Sequence, residues 1–502
     1  MQITCNRISD SADIPRILYE TPRTDITCEG QCDCACVAGL PTSRQPPVPL
    51  ADISYSLNPD SLLRAAPISD DYYITLGKDF DHIVLNHSAL VIANHFDRAR
   101  SFQEIPHAWR KAWDDEIIHS TLEQMLVLGL LVPEDYTAPT FTEMPNVLTA
   151  WLHITDRCNM RCAYCYLPHT CTDMFAETGY AVIDAIFRSA LAYGYTQVKL
   201  KYAGGEPLLS FPLVVELHRY AGKLAKQYDL ELDGVVLSNG TLLTAQMVET
   251  MQSLGLRLMI SLDGLGQHHD CQRHFADGQG SFDDVARAVD LALSLDFVPN
   301  VSITVSGRNA DGLPDLMAWV LDRDLPFSLN FYRENDLSAS HVDLRLEEER
   351  IIVGMLAAYK TIEANLPRRS LLASLADRAN LSTSHLCTCS VGHSYLVFDY
   401  LGRVAKCQMD MENTVTDANS PNPLAAVRES NIGICNIQVD EKTECHDCQW
   451  RYWCTGGCPL QTYRTAGRYD AKSPNCNIYR ALYPEIIRME GLRLLKYCNV
   501  LT

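Results

Sequence analysis

The sequence lacks the features that mark membrane, secreted and nucleic-acid-binding proteins. It has no run of about 20 apolar residues, which a membrane-spanning helix needs. Its first residues do not form the basic and then apolar stretches of a secretory signal. Its 42 lysines and arginines are outnumbered by 62 aspartates and glutamates, and the net charge of −20 argues against a broad surface for nucleic acid or anionic membranes. These absences predict a cytoplasmic protein without a membrane or nucleic-acid partner.

The chain is rich in apolar residues and in cysteine. A length of 502 residues predicts roughly two to four domains, and a hydrophobic fraction of 47% is ordinary for a globular protein with a large core. The sequence holds 20 cysteines. In a large chain without an export signal, clustered cysteines are more often metal ligands than disulfides. The composition therefore predicts metal sites in a reducing compartment.

The most informative stretch contains Cys158, Cys162 and Cys165 at spacing CX3CX2C, with Tyr164 before the third cysteine. Three thiolates can hold three irons of a [4Fe–4S] cluster. The fourth iron would then keep an open position, which can bind a small molecule. A structural zinc or iron site with a distant fourth ligand is the alternative. The apolar run 147–155 predicts a strand that leads directly into this loop.

Strand and helix patterns alternate regularly from about residue 145 to 340, which predicts a parallel sheet. The strand candidates are 147–155, 197–203, 234–238, 257–262, 298–305 and 327–332. Three short motifs follow the second, third and fourth candidates, where parallel barrels carry their chemistry. They are Gly204-Gly205-Glu206-Pro207, Ser238-Asn239-Gly240 and Ser261-Leu262-Asp263-Gly264. The two glycines permit a close approach of backbone to a ligand, or simply a tight turn.

A second group of cysteines lies near the end of the chain. Cys389 and Cys407 form a CX(12)GX4C arrangement with Gly402. After a gap the spacing is CX2CX5CX3C, and one more cysteine follows; these five are Cys445, Cys448, Cys454, Cys458 and Cys476. Metal binding is the interpretation we favour, with zinc as the alternative to iron.

The order of these motifs resembles the radical S-adenosylmethionine (SAM) superfamily, and in particular its members with a SPASM domain. The resemblance implies an α/β fold, a partial (β/α)6 TIM-like radical SAM barrel followed by a C-terminal SPASM domain that binds iron–sulfur clusters. It also implies that the open iron of the first cluster binds SAM. Arg287 is our candidate for an arginine that contacts SAM, since guanidinium matches a carboxylate. The residues that the resemblance places around SAM are Tyr164, Gly204, Gly205, Glu206, Ser238, Asn239, Ser261, Asp263 and Arg287.

The same resemblance implies two auxiliary [4Fe–4S] clusters. Carried over by position, auxiliary cluster II is bound by Cys445, Cys448, Cys454 and Cys476, and auxiliary cluster I by Cys389, Cys407 and Cys458. Cys387 is the natural fourth ligand of cluster I, although its CX1C spacing leaves an open iron as the alternative. No general base is identified. The cysteines without an assigned role are Cys5, Cys171, Cys271, Cys435 and Cys498.

The region before the barrel has two parts. In residues 1–50, Cys28, Cys32, Cys34 and Cys36 precede a proline-rich run at 41–49, and we expect either a metal site or a flexible tail without regular structure. In residues 51–140, strands at 72–76 and 82–86 and helices at 88–95 and 114–131 give a winged-helix-like pattern. It resembles a RiPP recognition element, which binds the leader of a ribosomal precursor peptide as an added strand. A DNA-binding winged helix and a structural cap are the alternatives, and no basic recognition helix is visible.

These expectations divide the chain into six parts: 1–50, the leader-binding unit 51–140, the barrel 141–340, a helical bridge 341–385, the SPASM domain 386–482 and a C-terminal helix 483–502. The function implied is oxidative modification of a precursor peptide, by a side-chain cross-link, through a 5′-deoxyadenosyl radical. The auxiliary clusters would take the surplus electron, and flavodoxin or ferredoxin would supply the first one.

Two other functions stay open. The resemblance extends to formylglycine-forming maturases of sulfatases, which carry an aspartate directly after the cysteine that corresponds to Cys407. Here that residue is Gln408, and the nearest carboxylate is Asp410. A non-catalytic iron–sulfur scaffold that binds peptides is the second alternative. It would be expected to have damaged SAM motifs, and here they are intact.

Overall fold

The computed structural model describes residues 3–5, 14–20, 53–59, 61–77, 82–137, 146–377 and 379–497. Cys28, Cys32, Cys34, Cys36 and Cys498 lie outside the described residues, as does the proline-rich run. The alternatives for that cysteine group therefore stay predictions.

The part before the barrel is built on a five-stranded antiparallel sheet and a small three-stranded sheet. The strand order is β1-β2-β6-β5-β4 in the larger sheet and β7-β3-β8 in the smaller one. The strands are β1 (Ile3–Cys5), β2 (Ile17–Glu20), β3 (Ser54–Leu57), β4 (Ser61–Pro67), β5 (Tyr72–Gly77), β6 (Ile83–Asn86), β7 (Arg100–Ser101) and β8 (Leu131–Pro133). The helices are α1 (His87–His95), α2 (Trp109–Ala112) and α3 (Asp115–Val127).

The barrel follows the predicted alternation of strands and helices. All six predicted strands are present to within three residues at each end. They are β9 (Val147–Thr155), β10 (Gln197–Gly204), β11 (Glu231–Ser238), β12 (Leu256–Ser261), β13 (Asn300–Val305) and β14 (Phe327–Phe331). The helices are α4 (Ala176–Ala192), α5 (Phe211–Tyr228), α6 (Ala245–Leu254), α7 (Gln267–Asp270), α8 (Phe282–Ser294), α9 (Leu313–Asp322) and α10 (Glu348–Ala364).

The C-terminal region extends the barrel sheet. Its strands are β15 (Tyr395–Phe398), β16 (Arg403–Ala405) and β17 (Thr414–Asp417). Its helices are α11 (Pro423–Glu429), α12 (Arg451–Cys454), α13 (Pro459–Ala466) and α14 (Cys476–Tyr497). Strand β15 pairs in parallel with β9, and β16 and β17 continue antiparallel, so the nine strands form one sheet in the order β14-β13-β12-β11-β10-β9-β15-β16-β17.

One hydrophobic core joins the three regions. On β9, Leu148, Ala150, Leu152 and Ile154 face the helices, as the alternation of side chains along a strand requires. The same core continues through Leu18, Ile74 and other residues of the N-terminal sheet to the buried side of α14. None of the helices in the described ranges is long and apolar enough to span a bilayer.

Three local expectations differ from the structure. Residues 1–50 were expected to lack regular structure, yet β1 and β2 lie there and join the five-stranded sheet. The helix expected at 114–131 ends at Val127. The last helix begins at Cys476 and runs through Pro484. The tertiary contacts of its buried residues compensate for the hydrogen bond that a proline removes.

Strand β2 is held in the sheet by Asn86. The Asn86 side chain accepts hydrogen bonds from the backbone N–H groups of Arg16 (2.8 Å) and Ala89 (3.0 Å), and donates one to the carbonyl oxygen of Ile14 (2.7 Å). Its backbone N–H bonds the Arg16 carbonyl at 3.1 Å. Ile17 and Leu18 of the strand are both buried. Asn86 therefore fastens a segment that is distant in sequence to the edge of β6.

We expect Asn86→Ala to loosen residues 14–20. The change removes two side-chain hydrogen bonds to this segment, each contributing about 1 kcal/mol, so amide hydrogen exchange there should accelerate about 10- to 30-fold. Asn58→Ala is the matched control, because Asn58 is also buried in this unit but bonds the Gly129 carbonyl. Equal exchange at residues 14–20 in the Asn86 variant and the native protein would contradict this role.

Candidate active site

The three-cysteine loop begins directly after β9. All three thiols are partly buried. Burial and the neighbouring cysteines raise the pKa of the Cys158 thiol to about 11 and that of Cys165 to about 12, and burial also raises the pKa of Cys162. The Cys158 sulfur accepts a hydrogen bond from the Met160 N–H at 3.4 Å. Thiols in this environment become thiolates at neutral pH only when a metal binds them.

The arrangement of donor groups bears on which metal the cysteines would hold. In the ranges that the structure describes, no three cysteine, histidine, aspartate or glutamate side chains are arranged around one point as ligands of a single ion. In an iron–sulfur cluster each thiolate binds a different iron, so the sulfurs need not meet at one point. A cluster and the single zinc or iron ion that the spacing left open therefore both stay predictions, and three thiolates are the donor set that iron–sulfur clusters use.

The glycine motif at the end of β10 braces the start of the cysteine loop. The N–H of Gly205 bonds the Thr155 carbonyl and that of Glu206 bonds the Arg157 carbonyl, both at 2.8 Å. A Cβ on Gly204, where φ is 144°, would lie 2.2 Å from the Thr155 oxygen. A Cβ on Gly205 would lie 2.1 Å from the Arg157 oxygen. Both glycines are needed because the two backbones touch.

Glu206 links the ends of two barrel strands. Its carboxylate is fully buried and accepts hydrogen bonds from the Ser238 hydroxyl (2.7 Å) and from the N–H groups of Asn239 (2.7 Å) and Leu208 (3.0 Å). Burial raises the pKa of Glu206, and these hydrogen bonds oppose that shift. The Asn239 amide then donates to the side chain of Asn159 in the cysteine loop at 2.9 Å. The sequence-predicted residues of both motifs thus form one network with the loop.

A second network lies on the other side of the loop, at Tyr164. The Tyr164 hydroxyl donates to Asp263 at 2.6 Å and accepts a hydrogen bond from Arg273. The guanidinium of Arg273 is 3.9 Å from the Asp263 carboxylate. The Arg273 side chain is nine-tenths buried, and its Nε–H has no hydrogen-bond partner in the described part of the chain. A buried, unpaired N–H of this kind calls for an acceptor such as a carboxylate.

The structure does not bring Arg287 to the other predicted residues. Its side chain is 71% exposed and forms an ion pair with Asp284 on the surface of α8. Arg273 is the arginine that sequence analysis missed as a site residue. Its loop pairs with the cysteine loop through the bonds from Arg161 N–H to His274 O and from Ala163 N–H to Gln272 O, both 2.9 Å. Ser261 lies at the end of β12 and is half-buried.

Three of the four cysteines expected around auxiliary cluster I share one apolar cluster. Cys389, Cys407 and Cys458 lie there, and Trp151 of β9 packs against it. Cys387 is fully buried, and its sulfur lies 3.6 Å from Nε2 of His393. The structure therefore leaves both alternatives for the fourth ligand in place.

The cysteines expected around auxiliary cluster II influence one another. Burial raises the pKa of Cys445 to about 11, and Cys448 and Cys476 add to that shift. Burial raises the pKa of Cys454 to about 12, and Cys445 and Cys476 add to it. Two of the cysteines without a role, Cys171 and Cys435, are exposed, and a third, Cys271, donates its S–H to the His268 carbonyl at 3.5 Å.

We expect Gly205→Ala to displace the start of the cysteine loop, because the added Cβ would overlap the Arg157 carbonyl. Cluster binding by the loop should fall sharply and unfolding should occur at a lower temperature. Gly222→Ala is the matched control, since no atom beyond the neighbouring backbone of its own helix lies within 4 Å of its Cβ position and alanine favours a helix interior by about 1 kcal/mol. Reconstituted iron per chain and thermal unfolding measure both effects. An unchanged iron content in Gly205→Ala would contradict the bracing role.

Comparison with known proteins matches the middle of the chain to a family. Residues 152–320 match the Radical SAM superfamily. An uncharacterized protein of Methanocaldococcus jannaschii is 25% identical over 221 residues, which are 43% of this chain and 74% of that protein. A probable GTP 3′,8-cyclase of Methanocella arvoryzae is 29% identical over 208 residues, which are 40% of this chain and 62% of that protein.

The fold likeness extends beyond the matched residues. Native anSMEcpe with bound AdoMet and Kp18Cys peptide is 18% identical, with a TM-score of 0.55, over 70% of this chain and 99% of that chain. The family match covers both the three-cysteine loop and the glycine motif that braces it. The chain therefore contains a radical SAM domain.

Proposed function

We propose that this protein is a radical SAM enzyme that oxidises a ribosomally made peptide and forms a cross-link between its side chains. The observation that carries the proposal is the buried frame around the cysteine loop. The glycine motif and Glu206 brace one side, and Tyr164, Asp263 and Arg273 line the other. In the described part of the chain the Nε–H of Arg273 has no acceptor within this frame. It can therefore donate a hydrogen bond to a ligand beside the thiols.

Cys158, Cys162 and Cys165 would hold a [4Fe–4S] cluster that keeps one iron free of protein ligands. The cluster and bound SAM together would supply one-electron reduction and hydrogen-atom abstraction. The protein contributes position and exclusion of water. We assign to Arg273 the binding of the SAM carboxylate, the role that sequence analysis gave to Arg287. Tyr164 and Asp263 hold the guanidinium in place.

Aromatic side chains between the three-cysteine loop and the cysteines expected for auxiliary cluster I support an oxidation. Tyr166 follows Cys165 directly and is half-buried. Its pKa is raised by burial and then by Cys165 of the first loop and by Cys407, which is expected in auxiliary cluster I. The His153 ring is 6.2 Å from the Tyr166 ring and accepts a hydrogen bond from Trp151 at 3.0 Å. A substrate radical formed near the first loop would be near the electron acceptor that an oxidation needs.

The N-terminal sheet supports a peptide as substrate. Extended peptides bind sheets by adding a strand, with backbone hydrogen bonds supplying affinity. Strands β1 and β4 are the outer strands of this sheet in the described residues, and β6 already pairs with β2. A leader would therefore add outside an outer strand or replace β2. The structural neighbour anSMEcpe also holds a peptide.

The surroundings of Cys407 weigh against the formylglycine-forming alternative. Gln408 cannot act as a base, and its side-chain oxygen accepts a hydrogen bond from the Tyr395 hydroxyl at 3.1 Å. Asp410 is buried, and its carboxylate accepts one from Asn413 at 2.8 Å. The position directly after Cys407 therefore lacks the carboxylate that the chemistry of that family uses, and Asp410 lies three positions after Cys407.

We expect Arg273→Lys to weaken SAM binding at least about tenfold, because lysine keeps the charge beside Asp263 but loses the fork of N–H donors. Arg287→Lys is the matched control and should bind SAM as the native enzyme does. Equilibrium binding to the cluster-loaded protein measures both. The opposite pattern, with only the Arg287 variant impaired, would restore the assignment made from sequence.

The peptide-modifying activity is tested by mass spectrometry of a precursor peptide encoded beside the gene, co-expressed anaerobically with the enzyme. The native enzyme should lower the peptide mass by the two hydrogen atoms that each cross-link loses, and Cys158→Ala should abolish the change. An unmodified precursor, together with conversion of a sulfatase-peptide thiol to an aldehyde, would favour the formylglycine-forming alternative and contradict our proposal.

A further inference from the structure

A buried lysine lies beside the cysteines expected for auxiliary cluster II. Lys442 is only 1% exposed. Its ammonium donates a hydrogen bond to the Thr455 carbonyl at 2.7 Å, and Thr455 directly follows Cys454. The Lys442 carbonyl accepts a hydrogen bond from the Cys445 N–H at 3.0 Å. The side-chain ammonium and the backbone carbonyl of Lys442 therefore both contact segments that carry the expected ligands of cluster II.

The same lysine is linked to the segment expected to bind auxiliary cluster I. The Thr455 carbonyl also accepts a hydrogen bond from the Thr388 hydroxyl at 3.1 Å, and Thr388 stands between Cys387 and Cys389. The Thr388 hydroxyl contacts the Gly457 carbonyl at 2.8 Å, next to Cys458. A Cβ on Gly456 would lie 2.8 Å from the ammonium. Lys442 thus lies where the two cysteine-bearing segments meet.

The ammonium group of Lys442 forms no ion pair with a carboxylate in the part of the chain that the structure describes. Within the described residues its hydrogen-bond partner is a carbonyl. Burial lowers the pKa of Lys442, and the thiols of Cys445, Cys454, Cys389 and Cys387 oppose that shift. An unpaired buried ammonium costs several kcal/mol in proteins. Negative charge on bound clusters at both cysteine groups would offset this cost.

We propose that Lys442 is a shared counter-charge for the two auxiliary clusters and raises the reduction potential of both. The inference rests on the proposed function, because it requires those clusters. A fixed positive charge favours the reduced state of a cluster, which carries one more electron. Lys442 thereby makes both clusters better acceptors for the electron released by the substrate. Its proposed role is electrostatic, and we do not propose it as a catalytic residue.

The test is an anaerobic redox titration followed by electron paramagnetic resonance. Cys158, Cys162 and Cys165 are first changed to alanine, so that only auxiliary clusters contribute a signal. Into this protein we introduce Lys442→Gln, Lys442→Arg or, as a matched control, Lys472→Gln. Lys472 is exposed but acts on Cys476, so water screens its charge.

We expect Lys442→Gln to lower the ratio of reduced to oxidised cluster at a fixed potential by about tenfold or more at both sites, where tenfold corresponds to about 59 mV for a one-electron couple. The ratios of Lys442→Arg and Lys472→Gln should stay close to that of the starting protein.

No change of this ratio in Lys442→Gln, or a change at one site only, would overturn a shared role. Loss of iron in both Lys442 variants would also overturn it, because the role would then be packing. Loss of iron in Lys442→Gln alone would support it.

The iron content of the starting protein, which lacks the three loop cysteines, distinguishes a failure of this inference from a failure of the proposed function. If it binds no iron at the auxiliary sites, the cluster assignment within the proposed function fails. If it binds iron but its potentials do not depend on Lys442, only the inference about Lys442 fails.

Discussion

The structure depends on one strand, β9, being hydrogen-bonded along both edges. On one side it pairs in parallel with β10, which ends at the glycine motif. On the other side it pairs with β15, which leads into the hairpin that ends at Cys407. The strand itself ends at the three-cysteine loop. Because neighbouring strands are about 4.8 Å apart, this double pairing fixes the spacing of the two cysteine groups more firmly than any loop contact could.

The two faces of β9 pack against different parts of the structure. Leu148, Ala150, Leu152 and Ile154 face the helices and belong to the main core. The alternate residues Trp151 and His153 lie on the opposite face, where Trp151 packs against the apolar cluster that contains Cys389 and Cys407. Burial holds the pKa of His153 down to about 3, so this histidine stays neutral at physiological pH. A single slip of one residue in the β9 register would exchange these faces and separate the two cysteine groups.

Much of the barrel follows from sequence because its signals are local. Strand and helix patterns alternate with the correct period. The assignment of the later cysteines to two clusters came from the resemblance and stays a prediction, although Cys389, Cys407 and Cys458 share one apolar cluster. The remaining features depend on tertiary contacts. Strand β2 is too short to stand out and is held by Asn86, which is far away in sequence. Arg273 and Arg287 carry the same chemistry, and only the fold shows that one is buried and the other exposed. The continuation of α14 through Pro484 depends on a core that no local pattern reveals.

The central claim is that the three-cysteine loop holds a cluster whose open iron binds SAM. The most direct measurement is the electron paramagnetic resonance spectrum of the anaerobically reduced protein before and after SAM is added. Our account predicts that one signal, the one lost in Cys158→Ala, changes its g values on addition of SAM while the auxiliary signals do not. A spectrum that SAM leaves unchanged would contradict the account.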